Sequence, residues 1–424
     1  MPAIICYKLI KMTIFAELGL NKTLQANIKR LGYKTPTTIQ KKSIGAVLSG
    51  ADTYAIAPTG TGKTAAYLLP TLQELSQVDH SQDEVRPVRA IYLVPTRELA
   101  QQLELSIANY GKDLNLRTIS IFGGVRVESQ VKRFKRGADI VIATPKRLVD
   151  LLKLGTFSLD NLKHFVMDEA DRLVSMGIQQ ELRTILTALP KKRQIVLFSA
   201  TDSKTLAKFS KDNLSHQKEI KTEQLQPAQS KIVHTMYRCY RKHKESHLIK
   251  LLQMLRCDQA LIFTRTKQDV KDLTELLTEN GFSNQGIHNE VQQKRRKERL
   301  DSFKNKEFKF LVATDIASRG IDFDNLYYVI NFDLPVNSND YIHRAGRTAR
   351  KTVKKVENKA KAMKQELSKD VLTTKQFEFA DAPKVTVDDI QGHVFSLVSP
   401  EQERLVPKIA NLLGTEVKLD KIPW

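Results

Sequence analysis

A chain of 424 residues is too long for one hydrophobic core and implies two domains of roughly 200 residues each. Lys and Arg outnumber Asp and Glu by 68 to 47, a formal net charge of +21, which points to a polyanionic partner, nucleic acid before an anionic membrane surface. No apolar stretch approaches the roughly 20 residues that a bilayer span needs, and Cys6, Cys239 and Cys257 lack the spacing of a zinc site or a disulfide framework, so they read as reduced cytosolic thiols.

Residues 1–12 precede the first patterned segment. Their apolar run is too short for a secretory signal and lacks a small-residue cleavage site, so an extension, or a start at Met12 instead of Met1, is expected. From residue 13 onward, apolar runs alternate with helical patterns: YAIA (54–57), AIYLVP (90–95), TISIF (118–122), DIVIA (139–143), HFVM (164–167) and QIVLFSA (194–200). Such near-continuous runs separated by helices predict a parallel sheet covered on both faces. Residues 219–230 are polar, aperiodic and contain Pro227, and they read as a linker. The scheme then repeats with ALIFT (260–264), QGIH (285–288), FLVAT (310–314), YVINF (328–332) and VFSLV (394–398). The expected fold class is α/β, with two doubly wound parallel sheets in tandem.

Two strings carry chemistry. Ala57-Pro-Thr59-Gly60-Thr61-Gly62-Lys63-Thr64 is a phosphate loop, although Ala57 stands where a first glycine is usual. Its glycines bare backbone N–H groups for phosphates, Lys63 adds a point charge, and Thr64 offers a hydroxyl to Mg²⁺. About a hundred residues later, Asp168-Glu169-Ala170-Asp171 ends the apolar run HFVM, which places carboxylates at the carboxyl edge of a sheet, where open α/β folds bind ligands. An acidic tetrad alone is also a common helix start. Together with the loop it makes half of a nucleotide triphosphatase.

Further strings follow in a fixed order: GYKTPTTIQ (32–40) with Phe15 upstream, PTRELA (95–100), GG (123–124), TPKR (144–147), SAT (199–201), IFTRT (262–266), Gln293-x-x-Arg296, VATDIASRGID (312–322) and HRAGRTAR (343–350). With them the chain resembles the DEAD-box ATP-dependent RNA helicases over residues 13–350 and again from about 392. The wording RPVRAIYLVPTRELA is most similar to the bacterial RhlE-type subgroup. The resemblance implies two RecA-like domains of helicase superfamily 2, at 13–218 and 231–424, with ATP and Mg²⁺ as cofactors.

It also implies roles. Gln40 suits bidentate recognition of an adenine edge, and Phe15 stacks near the base in the family, although an isolated Phe there would read as core. Thr64 and Asp168 hold the metal, Lys63 neutralises phosphate oxygens, and Glu169 orients or deprotonates the attacking water. His343, Arg347 and Arg350 come from the second domain. The i, i+3 arginines can share a helix face toward the γ-phosphate, although such a pair is otherwise a solvated basic face. Asp322 corresponds to a ribose contact. Ser199 and Thr201 correspond to hydroxyls that couple hydrolysis to RNA binding, and would otherwise be strand-end caps. RNA contacts fall to Thr96, Arg97, Gly123, Gly124, Thr144 and Arg147, then Arg265, Thr266, Arg296, Thr314 and Arg319. They address phosphate and 2′-OH groups, so binding is expected to be largely independent of sequence.

The chain departs from the family pattern at Lys146, Ala345 and Ala349, and at Asn289 after His288. A glycine at 349 permits a positive φ that Ala resists, so a change in turnover rate is expected there. A larger departure is an insert at 351–391. Within it Val353, Val356, Ala360, Met363 and Leu367 predict an amphipathic helix with a lysine-rich outer face, followed by a hairpin-like segment. The insert reads as a decoration docked on the second domain or as an accessory RNA or protein contact. With the last patterned segment running into KLDKIPW, a basic Gly-rich tail of the kind many family members carry is not expected.

The expected function is a cytoplasmic, monomeric ATP-dependent RNA helicase that locally unwinds duplexes. Ribosomal or RNA-decay partners are implied by resemblance only. An ATP-gated RNA clamp and a DNA translocase of the same superfamily remain open as alternatives.

Overall fold

The computed structural model describes residues 14–80, 82–222, 232–255, 257–315, 326–348 and 392–422. The chain divides into two compact units, Met1–Gln224 and Leu225–Trp424. Seven parallel strands form the sheet of the first: β1 (Thr53–Ile56), β2 (Ala90–Leu93), β3 (Thr118–Ile121), β4 (Ile140–Ala143), β5 (His164–Met167), β6 (Gln194–Ser199) and β7 (Lys218–Lys221). Their spatial order is β3-β4-β2-β5-β6-β1-β7.

The continuous apolar runs have a direct cause. Ala55, Tyr92, Ile142, Val166 and Val196 enter one core with the helices Lys22–Arg30, Thr38–Leu48, Lys63–Leu75 and Arg97–Tyr110. Their neighbours Ile56, Ile91, Val141, Phe165 and Leu197 enter a second core on the other face, against Pro145–Lys153, Ala170–Ser175, Gln179–Ala188 and Lys204–Asn213. A strand covered on both faces has no polar side to alternate. The amino edge is fastened by buried carboxylates. Asp52 accepts the backbone N–H groups of Ile195 and Ser215, each at 2.7 Å. Asp139 accepts from the Arg86 and Arg89 guanidiniums and the Arg117 backbone.

One expectation is corrected here. The polar segment read as a linker from residue 219 begins inside the sheet, because Lys218–Lys221 pairs in register with Thr53–Ile56 as edge strand β7. Only Ile220 of its four residues is buried. Backbone pairing holds an edge strand with a single inward side chain, and four residues with one apolar member give no readable period. Residues 223–230 of that expected linker lie outside the described residues.

The second unit repeats the plan with β8 (Ile232–Arg238), β9 (Ala260–Thr264), β10 (Asn284–Ile287), β11 (Phe310–Thr314), β12 (Tyr328–Asn331), β13 (Gly392–Val398) and β14 (Leu419–Lys421), in the order β10-β11-β9-β12-β13-β8-β14 and all parallel. Again two cores flank the sheet, one with Leu261, Phe263 and Val329, the other with Ala260, Ile262 and Ile330. Strands β8 and β14 were absent from the sequence reading. IVHTMYR interleaves His and Thr with its apolar residues, and β14 has three residues. The 351–391 insert, with its expected helix and hairpin, lies outside the described residues, as do Arg319, Asp322, Ala349 and Arg350.

Candidate active site

In the first sheet, β5, β6 and β1 are neighbours, and β1 and β2, consecutive in sequence, are separated by β6 and β5. The loops leaving the carboxyl ends of β1, β5 and β6 therefore converge at a crevice of the kind that binds ligands in open α/β sheets. They carry the phosphate loop, Asp168–Asp171 and Ser199–Thr201.

Gly60 and Gly62 take φ of +78° and +87°. Gly62 caps the start of the Lys63–Leu75 helix, so the first free N–H groups of that helix face the loop. A Cβ at Gly62 would run into the Gln40 amide. Gln40 itself is 2 % exposed. Its Oε1 accepts from the Thr37 backbone at 2.9 Å, in a reciprocal cap of the Thr38–Leu48 helix, and its Nε2 donates to the Gly62 carbonyl at 3.1 Å. The expected adenine reader thus buttresses the phosphate loop, with half of its hydrogen-bonding capacity already used. Lys63 lays its ammonium on the carbonyls of Ala57 (2.7 Å) and Pro58 (3.1 Å), and the Thr61 hydroxyl donates to Pro58 at 2.7 Å. Phe15 is buried in the core with Leu20 and Leu24.

Both oxygens of Asp168 are held. Oδ2 accepts from the Tyr67 hydroxyl at 2.7 Å, and Oδ1 from the Glu169 backbone N–H at 2.9 Å. Burial, and then the Glu169 charge, push Asp168 above the usual carboxylate range, against the pull of Tyr67 and Lys63. Burial and the Asp168 charge hold the Tyr67 hydroxyl protonated, well above its ordinary value. Glu169 has φ +51°, a left-handed conformation that costs a non-glycine residue about 1–2 kcal/mol and recurs at functional sites. Its carboxylate meets Arg172 at 3.0 Å. The Thr201 hydroxyl donates to Asp171. Ser199 Oγ donates to the Thr201 carbonyl at 2.6 Å and accepts the Thr201 N–H at 3.1 Å. The last two strings are therefore one hydrogen-bonded unit.

Of the expected RNA contacts in this unit, Thr96 caps the Arg97–Tyr110 helix by accepting the Leu99 N–H at 3.3 Å, and Arg97 pairs with Glu98 at 2.9 Å. A Cβ on Gly124, at φ +80°, would stand 3.0 Å from Arg97 Nη1. Two strings separated by some 25 residues thus meet. Gly123 has nothing within 4 Å of its side-chain position. Thr144 begins the Pro145–Lys153 helix and makes no side-chain cap. Arg147 is turned inward instead: 8 % exposed, it donates to the Val125 carbonyl (3.0 Å) and Gln130 Oε1 (2.9 Å), with Asp150 at 3.6 Å. It secures the loop behind Gly123–Gly124.

In the second unit, Arg265 and Thr266 are exposed, and Thr266 shares a reciprocal cap with Asp269 at the start of the Lys267–Glu279 helix. Arg296 and Thr314 are buried, Thr314 at the carboxyl end of β11. His343 is half-buried, in the last turn of the Ser338–Ala345 helix, and Arg347, just beyond it, is buried. Lys146 stands in a helix, and neither it nor Asn289 takes a positive φ, so neither position needs glycine; Ala345, where isoleucine is common in the family, is buried in the Ser338–Ala345 helix.

A family model described as DEAD/DEAH box helicase matches residues 37–209, and one described as helicase conserved C-terminal domain matches residues 243–352. RNA helicase CrhR of Synechocystis sp. is 36% identical over 335 residues, which cover 79% of this chain and 67% of that protein. The chain belongs to the DEAD-box helicase family. ATP-dependent RNA helicase DeaD of Escherichia coli is 33% identical over 336 residues, 79% of this chain and 52% of that protein. The chain thus spans between about half and two thirds of the length of these two relatives. The structure of DEAD-box helicase Mss116 bound to ssRNA and UDP-BeF matches with a TM-score of 0.78 at 25% identity, over 97% of this chain and 81% of that one. Each sheet is that of a RecA-like domain, as the sequence led one to expect.

Sequence reasoning passed over three side chains in this DEAD-box chain. Tyr67 falls four residues after Lys63 on one helix face, a spacing that could have drawn attention to it. Arg344, 2 % exposed, forms a two-pronged pair with Asp315 (2.6 and 2.7 Å), bonds Asn331 Oδ1 and the Asp333 carbonyl, and lies over the Phe263 ring at 4.7 Å. It joins the HRAGRTAR and VATD strings. Buried Lys244 binds Asp333, the Phe332 carbonyl and Gln402 within 2.7–2.9 Å. Nothing in sequence marks a lone lysine at a helix start as buried.

Proposed function

We propose that this chain is an ATP-dependent RNA helicase that hydrolyses ATP to separate short RNA duplexes locally. The observation that carries the reading is the 2.7 Å bond from Tyr67, on the phosphate-loop helix, to Asp168, which joins loop and carboxylates in one site. Thr64 and Asp168 are the residues to hold Mg²⁺. A hydroxyl and a carboxylate are hard oxygen donors, and Mg²⁺ takes one or two carboxylates together with waters and phosphate oxygens. When bound, it supplies charge neutralisation on the β/γ-phosphates.

Lys63 and the N–H groups of Thr59–Thr64 cradle the triphosphate, Gln40 and Phe15 sit on the base side, and Glu169 orients the attacking water. From the second domain, His343, Arg347 and Arg350 stabilise the charge of the transferring phosphoryl group and Asp322 meets the ribose, while Ser199 and Thr201 of the first domain relay the outcome to bound RNA. RNA runs over Thr96, Arg97, Gly123, Gly124 and Thr144, then Arg265, Thr266, Arg296, Thr314 and Arg319, with Arg147 holding a loop rather than touching the strand. The protein acts as a cytoplasmic monomer close to the RhlE type. A strand-displacement assay run beside an ATPase assay tests the reading: RNA, and not DNA, stimulates turnover, and a short RNA duplex is released only with hydrolysable ATP. ATPase without release, or equal stimulation by DNA, overturns it.

A further inference from the structure

We propose that Tyr67 is a positioning residue for the metal site, its hydroxyl setting the orientation of the Asp168 carboxylate beside Thr64. The inference rests on the reading of Thr64 and Asp168 as the Mg²⁺ residues. Tyr67 lies three residues after Thr64 and four after Lys63 on the Lys63–Leu75 helix, so all three share a face. Its ring is fully buried and wedged edge-on against Phe198 at 5.2 Å and tilted against Tyr92 at 5.9 Å, which fixes where the hydroxyl points. That hydroxyl donates to Asp168 Oδ2 at 2.7 Å, and the Thr64 side chain stands beside the same phenol oxygen.

The consequence is geometric. A carboxylate at a strand end can rotate about its terminal torsion, which is broad and two-fold. Here the phenol holds Oδ2 and the Glu169 N–H holds Oδ1 at 2.9 Å, so the plane of the group is set. Each oxygen keeps lone-pair capacity for a cation or its waters. Partners of this kind, one step behind the ligands, commonly contribute 10–100-fold to metal affinity or activity. The neighbouring Tyr92 phenol, by contrast, meets only the neutral Thr71 hydroxyl on the same helix. Phenylalanine would fill the space at 67 equally well, so packing alone gives no reason for the oxygen.

The test uses the whole chain and two matched variants, Tyr67→Phe and Tyr92→Phe, each losing one buried hydroxyl near the same helix. Affinity for a fluorescent ATP analogue is measured across an Mg²⁺ titration and in EDTA, with RNA-stimulated ATPase measured across the same titration. In Tyr67→Phe the Mg²⁺ concentration for half-maximal binding and turnover rises about tenfold, while affinity in EDTA stays at the parent's value. Tyr92→Phe titrates as the parent does. Coincident Mg²⁺ curves for Tyr67→Phe and the parent overturn the proposal. So does an equal shift in Tyr92→Phe, or an affinity loss in Tyr67→Phe that persists in EDTA, since either would mark a packing effect. A parent protein with no Mg²⁺ dependence overturns the Thr64–Asp168 reading itself and the proposal with it, which separates the two failures.

Discussion

At Glu169 the backbone adopts φ +51° between a buried strand and a short helix, and the side chain pairs with Arg172 beside the fixed Asp168 carboxylate. Such strain persists only where the surroundings over-determine it. With Glu169 as the water-orienting group, Glu169→Gln keeps the shape and the phosphate cradle and removes one transition-state interaction. Turnover is expected to fall by roughly 10²–10⁴-fold, with ATP and RNA affinity nearly unchanged. Steady-state ATPase at the parent's rate would remove Glu169 from the chemistry. Arg147 leads to the opposite expectation. Its guanidinium serves the Val125 carbonyl and Gln130, so Arg147→Ala leaves the buried Gln130 Oε1 without its donor and should cost about 1–3 kcal/mol of stability in denaturant unfolding. A neutral result there would mean that the side chain faces solvent and is available to RNA.

Among the elements, the phosphate loop and the β8–β13 pair respond to different variables. In the loop, Gly62→Ala combines a left-handed φ with a collision against the Gln40 amide, so nucleotide affinity should drop while the capped Thr38–Leu48 helix stays folded. A titration that matches the parent's would show that the loop relaxes freely. In the second unit, β8 and β13 place two half-buried histidines in neighbouring strands: His234 bonds Tyr341 Oη at 2.9 Å, and His393 bonds Thr235 Oγ1 at 2.8 Å. Burial pushes His234 down to about 4, and burial followed by the His234 charge pushes His393 down to about 3. Both stay neutral when folded, whereas the unfolded chain protonates near 6.5. The stability they allow is complete above that value and falls as pH drops toward 4, by up to about 1.4 kcal/mol per pH unit for each histidine. Hydrogen exchange should show β8 and β13 amides losing protection between pH 6.5 and 4.5 more steeply than those of β1–β6, with a shallower slope in His393→Gln. Parallel slopes in the two sheets would contradict the expectation.

For the whole molecule, a net charge of +21 and the proposed backbone-directed contacts predict that RNA affinity depends on salt and hardly on base sequence. For 6–10 neutralised phosphates the loss between 50 and 200 mM salt is roughly 10³–10⁵ on duplex DNA, with a shallower slope on a single strand. Filter binding of two unrelated RNAs of equal length across that range checks it, and a flat salt response or strong preference for one sequence would tell against a backbone-reading core. At this scale much of the fold was already legible. Strands buried on both faces must be apolar throughout, so β1–β6, β9 and β11–β13 announce themselves, and the glycines of a phosphate loop are spelled out because backbone geometry demands them. Edge strands β7 and β14 were not legible, since pairing by backbone asks little of the side chains. Neither were Tyr67, Arg344 and Lys244, whose bonds reach carbonyls and carboxylates far away in sequence. What the sequence by itself determined was local: periodicity, turn residues and the charged groups of each string. Only the tertiary structure decided which of those groups meet, turning Gln40 onto Gly62, Arg147 onto Val125 and Tyr67 onto Asp168, because a hydrogen bond between distant segments leaves no trace in the spacing of either one.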